Sequence, residues 1–87
     1  MFTAAADALA AAVVDLRKQR NMTQRGLAAA VGREQNYIAR IEQGQRRVDL
    51  IEWIVLCRAC KVDPIEQISA MLRQVAPLVP QRKAHSK

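Results

Sequence analysis

Apolar residues recur along most of this chain at intervals of three and four positions, the spacing of one face of an α-helix. Leu9, Val13 and Leu16 show this spacing within residues 3–20 and predict a first helix there. The chain holds only three glycines and three prolines, too few for the many turns of a β-sandwich or barrel. The pattern therefore predicts an all-α protein.

Two short helices separated by a glycine are predicted next. The first covers residues 24–31, and Thr23 before it is a favoured N-cap residue. The second begins at residue 34 or 35 and ends at 43. Gly32 and Gly44 each follow one of these helices, at the C′ position where a positive φ is easy only for glycine. Two short helices joined by a glycine turn are typical of a helix-turn-helix.

The last two predicted helices indicate contact with a second subunit. Asp49 and Glu52 have the spacing of a capping box before a fourth helix over residues 50–60, and Asp63 precedes Pro64 at the start of a fifth. The fourth helix is apolar nearly all round, which indicates burial on more than one side. In a chain this small we expect the second side to face another subunit. Candidate interface positions are Ile51, Ile54, Val55, Ile68 and Leu72.

These elements divide the chain into two parts. At 87 residues it is long enough for one domain with one modest core. We predict a compact five-helix domain over residues 1–76. Pro77 and Pro80 end the fifth helix, so residues 77–87 are predicted to be a basic, flexible tail.

The charge of the chain favours an anionic partner. The formal net charge is +6, and residues 17–47 alone hold eight basic and two acidic side chains, which accounts for all of it. A basic segment over the predicted helix pair is the electrostatic footprint of nucleic-acid binding. No apolar run is long enough to span a bilayer and no secretory signal is apparent, so we expect a cytoplasmic protein that does not bind membranes.

The cysteines and the single histidine suggest no catalytic or metal chemistry. Cys57 and Cys60 form a CxxC pair, but a structural zinc site needs four ligands and only His85 is available besides. We interpret both cysteines, and Trp53 beside them, as core residues; a redox switch at the cysteine pair is the alternative. No nucleophile, base and orienting group occur together. We therefore expect no metal, no cofactor and no enzymatic activity.

The segments LRKQRNMTQRGLAAAVG, REQNYIARIEQGQRRVDL and KVDP lie between Leu16 and Pro64, in register with the predicted helices. They resemble the phage-repressor or Cro-type family of the xenobiotic-response-element (XRE) class. The resemblance covers about fifty residues. It implies a lambda-repressor-like fold whose third helix enters the major groove of double-stranded DNA. It also implies a homodimer that reads an inverted-repeat operator, as a transcriptional repressor or autoregulator.

The same resemblance assigns the predicted site residues. Gln35, Asn36 and Arg40 match base-reading positions, and Ala39 is placed to contact a thymine methyl group. Gln and Asn pair with adenine through its N6 and N7 atoms, and Arg pairs with guanine through O6 and N7. Arg17 and Glu42 match positions that form an ion pair in relatives. Thr23 and Gln24 match the family's Thr-Gln pair, which implies phosphate contacts. Arg25, Arg33, Arg46 and Arg47 are further phosphate candidates by their charge and position, and Tyr37 either packs or contacts a phosphate.

The same sequence features are compatible with other functions. The domain could belong to an antitoxin or another module that docks a protein partner and binds DNA only to regulate itself. It could be a helical interaction domain without DNA binding, although the polar residues at positions 35, 36 and 40 speak against this. Within the DNA-binding class, a restriction-modification controller protein is a further alternative.

Overall fold

Residues 3–80 are described by the computed structural model, and within this range the chain is helical with no strand. The elements are α1 (Thr3–Gln19), α2 (Gln24–Ala30), α3 (Gln35–Glu42), α4 (Leu50–Ala59), α5 (Pro64–Val75) and a 3-10 turn (Ala76–Leu78). The predicted all-α architecture of five helices is confirmed. Predicted and observed helix ends differ by about one residue, which is the usual uncertainty of a frayed terminus.

The helix starts follow local capping chemistry. The Thr23 hydroxyl accepts a hydrogen bond from the backbone N–H of Gly26 at 2.9 Å. Asp49 and Glu52 form the predicted reciprocal box, with N–H to carboxylate distances of 2.7 and 2.9 Å. Glu34 occupies the N-cap position of α3 but makes no side-chain cap bond. α3 therefore begins without a side-chain N-cap.

Four residues that end helices adopt the left-handed conformation. Gly32 and Gly44 have φ of 72° and 75°, as the sequence predicts. Asn21 and Lys61 also have positive φ, at 55° and 59°. Lys61 carries a side chain where this conformation costs energy. Its carbonyl accepts a hydrogen bond from Arg20 Nη2 at 3.2 Å, which ties the end of α4 to the end of α1.

One core joins all the helices except α5, which packs against it from outside. α5 has no fully buried residue, but Ile68 and Met71 contact the core. The indole of Trp53 is only 3% exposed, and its Nε1 is the buried side-chain polar atom within residues 3–80 that has no hydrogen-bond partner. The core residues are Val13, Leu16, Leu27, Ala28, Ile38, Ile41, Trp53, Leu56, Cys57 and Cys60.

Beyond α5 the described chain lies against α1. Residues 76–78, at the start of the segment predicted as a basic, flexible tail, form a 3-10 turn that contacts α1. Val79 lines the same surface pocket as Ala5, Leu9 and Val75, and it is 39% exposed. Pro77 therefore lies where the α-helix ends, because proline cannot continue the helical hydrogen bonds. The basic residues 81–87 lie outside the described part.

Candidate nucleic-acid interface

The helix pair α2 and α3 is held by apolar side chains that face each other across the turn at residues 31–34. Leu27 and Ile38 are fully buried, and Ala28 and Ile41 are 1% exposed. Burial of a leucine or isoleucine side chain contributes about 1.5–3 kcal/mol, so the angle between the two helices is well fixed. The opposite face of α3 is exposed to solvent.

That outward face presents the predicted base-reading side chains together. Gln35 and Asn36 lie in the first turn of α3 and are exposed, Arg40 follows one turn later and is exposed, and Ala39 between them is half-buried. A polar groove of about 620 Å³ runs along this face. It is lined by Gly32, Arg33, Glu34, Asn36, Tyr37, Arg40 and Arg46. Amide and guanidinium groups on one helix face are the donors and acceptors that base edges require.

Hydrogen bonds hold both the nitrogen and the oxygen of the Gln35 side-chain amide. Its Nε2 donates to Gln24 Oε1 at 3.2 Å, and its Oε1 accepts from Arg25 Nε at 3.2 Å. Gln24 Nε2 in turn donates to Glu42 Oε1 at 2.9 Å. A primary amide carries two N–H donors and two lone pairs, so Gln35 retains one of each for a further partner.

Arg17 and Glu42 form an ion pair that joins α1 to α3, at the positions where the family resemblance implies one. Two nearly parallel bonds connect them, Nε to Oε2 at 2.7 Å and Nη2 to Oε1 at 3.0 Å, and the side chains are 13% and 7% exposed. Burial raises the pKa of Glu42, but the hydrogen bonds from Arg17 and Gln24 outweigh burial and hold the pKa below its usual value. Glu42 is therefore a charged acceptor at neutral pH.

A second polar cluster lies at the other end of the groove. Tyr37 donates its hydroxyl to Glu52 Oε2 at 3.0 Å, and Arg46 Nη2 contacts the same oxygen at 2.7 Å. The guanidinium carbons of Arg33 and Arg46 lie 4.0 and 4.7 Å from the centroid of the Tyr37 ring. The hydrogen bond from Arg46 is the main cause that lowers the pKa of Glu52 to about 2, so this carboxylate stays charged.

Sequence reasoning missed the role of Glu52 in this cluster. The capping-box spacing placed Glu52 at the start of α4, but capping uses its Oε1 atom. The other carboxylate oxygen meets Tyr37 and Arg46, from α3 and from the loop. No periodicity signals this contact, because it joins three segments that only the tertiary fold brings together.

The predicted phosphate-contacting residues fall into two groups. Thr23, Arg25, Arg33 and Arg47 are exposed. Gln24, Tyr37 and Arg46 are half-buried and held by the internal hydrogen bonds described above. Arg46 also donates from Nη1 to the carbonyl of Arg47 at 2.8 Å. A guanidinium has five N–H donors, so these contacts leave Arg46 further donors for a phosphate.

The predicted subunit interface is partly exposed. Ile51, Val55 and Leu72 are 68%, 43% and 48% exposed. Ile54 is half-buried, and Ile68 packs against the protein's own core. Three of the five predicted positions are therefore exposed, and so are Leu50 and Ile65 outside that set.

Cys57 and Cys60 are buried core residues, as interpreted from the sequence. They are 0% and 2% exposed, and burial raises the pKa of Cys57 to about 11 and also raises that of Cys60. Their thiols are protonated at neutral pH, and only the thiolate is strongly nucleophilic. Residues 3–80 hold no group of three or more side chains able to bind a metal ion. His85 lies outside this range. No helix in the described range is long and apolar enough to cross a membrane.

Comparisons with known proteins agree with this arrangement. A sequence-family profile described as "Helix-turn-helix domain" matches residues 8–68. An XRE-family-like protein from Pseudomonas syringae pv. tomato has a similar structure, with a TM-score of 0.73 and 32% identity; the match covers 82% of this chain and 87% of that one. Comparison with curated proteins gives no match.

A second solved structure is also similar. It is the restriction-modification controller protein C.AhdI from Aeromonas hydrophila, with a TM-score of 0.63 and 29% identity over 72% of this chain and 94% of that one. The family profile spans all of α2, α3 and α4 and most of α1. The chain belongs to the helix-turn-helix family of DNA-binding regulators of the XRE, or Cro/repressor, type.

Proposed function

We propose that this protein is a transcriptional regulator that reads a specific double-stranded DNA sequence with α3 in the major groove. The observation that carries the proposal is the outward face of α3, where Gln35, Asn36 and Arg40 are exposed together. The apolar contacts between α2 and α3 hold this face rigidly, which favours base readout over loose electrostatic contact. Repression or autoregulation in the cytoplasm is the mode we propose.

The proposed base contacts and phosphate contacts come from different residues of the same surface. Gln35, Asn36 and Arg40 are proposed to contact base edges, with Ala39 against a thymine methyl group. The phosphate contacts are proposed from Thr23, Gln24, Arg25, Arg33, Tyr37, Arg46 and Arg47. Phosphate contacts orient the protein and supply affinity, whereas base contacts supply the sequence preference.

We further propose that the protein acts as a homodimer on an inverted-repeat operator. Ile51, Val55 and Leu72 would otherwise leave apolar side chains in water, and a second copy of the same surface would cover them. A dimer of this family geometry reads half-sites about one helical turn, ~34 Å, apart. The likeness to a restriction-modification controller protein supports a regulatory function of the same class.

Selection of binding sites from a random duplex library at near-physiological salt tests the base readout. We expect an enriched inverted repeat with half-site centres ~10–10.5 base pairs apart. Arg40→Ala is expected to lose about 1–3 kcal/mol on the selected site and to relax preference at one base pair. Arg58→Ala, an exposed arginine at the end of α4, is the matched control. Equal loss on selected and random DNA would show that Arg40 contacts phosphate instead.

Sedimentation at tens of micromolar tests the dimer. We expect the natural protein to sediment as a dimer and Ile51→Asp to sediment as a folded monomer, because the Ile51 side chain is 68% exposed and contributes little to the core of one subunit. Ala11→Asp places the same charge on the exposed side of α1 and is expected to leave the dimer intact. A monomeric natural protein that binds single half-sites would refute this part of the proposal.

A further inference from the structure

Five side chains form a hydrogen-bond relay that leads from the Arg17–Glu42 ion pair to the proposed base-reading Gln35. Arg17 donates to Glu42, Glu42 accepts from Gln24 at 2.9 Å, Gln24 accepts from Gln35 at 3.2 Å, and Gln35 accepts from Arg25 at 3.2 Å. The relay begins half-buried between α1 and α3 and ends on the exposed face of α2. The members of the relay are Arg17, Glu42, Gln24, Gln35 and Arg25.

The two ends of this relay have opposite and fixed polarity. A carboxylate only accepts hydrogen bonds, and a guanidinium only donates them. Glu42 therefore requires the amide N–H₂ group of Gln24 on its side, and this turns the Gln24 oxygen towards Gln35. That oxygen requires the N–H₂ group of Gln35, and the Gln35 oxygen then faces the donor of Arg25. Reversing the side-chain amide of Gln24 or of Gln35 would place two donors, or two acceptors, against each other.

We infer that Glu42 and Arg25 are positioning residues that fix which atoms Gln35 presents to a base. Gln24 holds the Gln35 nitrogen and Arg25 holds the Gln35 oxygen. Gln35 therefore offers its remaining N–H and its remaining oxygen lone pair in one fixed orientation. That pair matches adenine, whose N7 accepts and whose N6 amino group donates in the major groove. The inference rests on the proposed function, since it concerns how the proposed reader selects its base.

The charge of Glu42 keeps the relay polarised at physiological pH. Its pKa lies below the ordinary value because the bonds from Arg17 and Gln24 outweigh the effect of burial, so it remains an acceptor without a proton to donate. A side chain that is already oriented loses less conformational freedom on binding. The relay therefore raises selectivity at one operator position by orienting Gln35 before DNA binds.

The test measures base preference at every operator position for variants of the outer end of the relay. Arg25→Met removes the donor, and we expect a five- to tenfold loss of adenine preference at one position and none elsewhere. Arg25→Lys keeps a donor and a charge and should restore most of the preference. Arg33→Met is the charge-matched control. Arg33 lies at the same surface, outside the relay, so its loss should weaken all sequences alike.

Combining substitutions separates positioning from a direct phosphate contact. In a Gln35→Ala background, Arg25→Met should cause no further loss of preference at that position, because the group that Arg25 orients is gone. Glu42→Gln should relax preference at the same position as Arg25→Met.

An unchanged preference in Arg25→Met would overturn the inference, and so would an equal loss at all positions or an additive loss with Gln35→Ala. If the unsubstituted protein selects no site at all, it is the proposed function that fails, so the two failures are distinguishable.

Discussion

Replacing Arg17 with methionine should strongly destabilise the domain. The substitution keeps much of the aliphatic stem but removes three hydrogen bonds, two to Glu42 and one from Nη1 to the Met22 carbonyl at 2.9 Å. Glu42, whose side chain is 7% exposed, then keeps only the bond from Gln24. A buried charge without a partner lowers the stability of the folded state more than most single changes do.

The expected loss of folding stability follows from the burial of the Arg17–Glu42 pair. Breaking a fully buried pair costs about 3–5 kcal/mol. The Arg17 side chain is 13% exposed, so some water reaches the site and we expect about 2–4 kcal/mol. Small domains are typically stable by only about 5–15 kcal/mol, so this is a large part of the total. The melting temperature should fall by roughly 10–30 °C.

Urea denaturation followed by circular dichroism at neutral pH measures this loss. The double variant Arg17→Met with Glu42→Leu should regain most of the stability, because it removes the unpaired carboxylate along with its partner. Arg58→Met removes one exposed charge and should change stability by no more than about 0.5 kcal/mol. A cost below about 1 kcal/mol for Arg17→Met, or a double variant no more stable than the single one, would refute this reasoning.

The pH dependence of the same variant provides a second check. The pKa of Glu42 in the folded protein lies below its ordinary value of 4.5. A carboxylate with a lowered pKa contributes its stability above the unfolded pKa and loses it as the pH falls through the folded one. Without Arg17, burial raises the pKa of Glu42 in the variant. The gap in stability between the natural protein and Arg17→Met should therefore be full at neutral pH and narrow as the pH falls through about 4.5 towards the lowered pKa of the natural protein. A gap that stays constant down to pH 3 would argue against the ion pair as its source.

Three further predictions concern the surface cluster, the phosphate contacts and the cysteines. Tyr37→Phe should raise the pKa of Glu52 from about 2 towards 4.5 and cost about 0.5–1.5 kcal/mol, as seen by carboxylate titration in NMR; an unchanged pKa would contradict the contact. Arg47→Ala should weaken binding to all DNA sequences alike and lower the salt slope of binding by about one, and a sequence-dependent loss would show base contact instead. Cys57 and Cys60 should resist alkylation in the folded protein and react fully in denaturant, because burial raises the pKa of both thiols; rapid labelling of the native protein would contradict their burial.

Local signals in the sequence were sufficient for the helices and most of their ends. The left-handed turns at Gly32 and Gly44 and the capping box at Asp49 depend on interactions within a few residues, so local sequence specifies them. The end of α4 shows the limit of such signals. Lys61 lacks the freedom of glycine and still adopts the same left-handed turn, which the fold permits through a bond from Arg20.

The apolar pattern of α4 and α5 does not indicate which of their side chains meet the core. Ile51 and Ile68 look alike in the pattern, but Ile51 is 68% exposed while Ile68 packs against the core. Which side of an apolar helix meets the core depends on how the neighbouring helix crosses it. The same limit applies at residues 76–78, whose contact with α1 no local pattern indicates.

Periodicity and capping are short-range properties, so the sequence was enough to predict the helix pattern, the helix-turn-helix and the face of α3 on which Gln35, Asn36 and Arg40 lie. The contacts that support these side chains depend on the packing of the helices instead. The bonds from Gln24 to Glu42 and from Tyr37 to Glu52 join residues 18 and 15 positions apart. Such contacts form only after separate helices have packed, so the geometry of the core, rather than any local pattern, selects them.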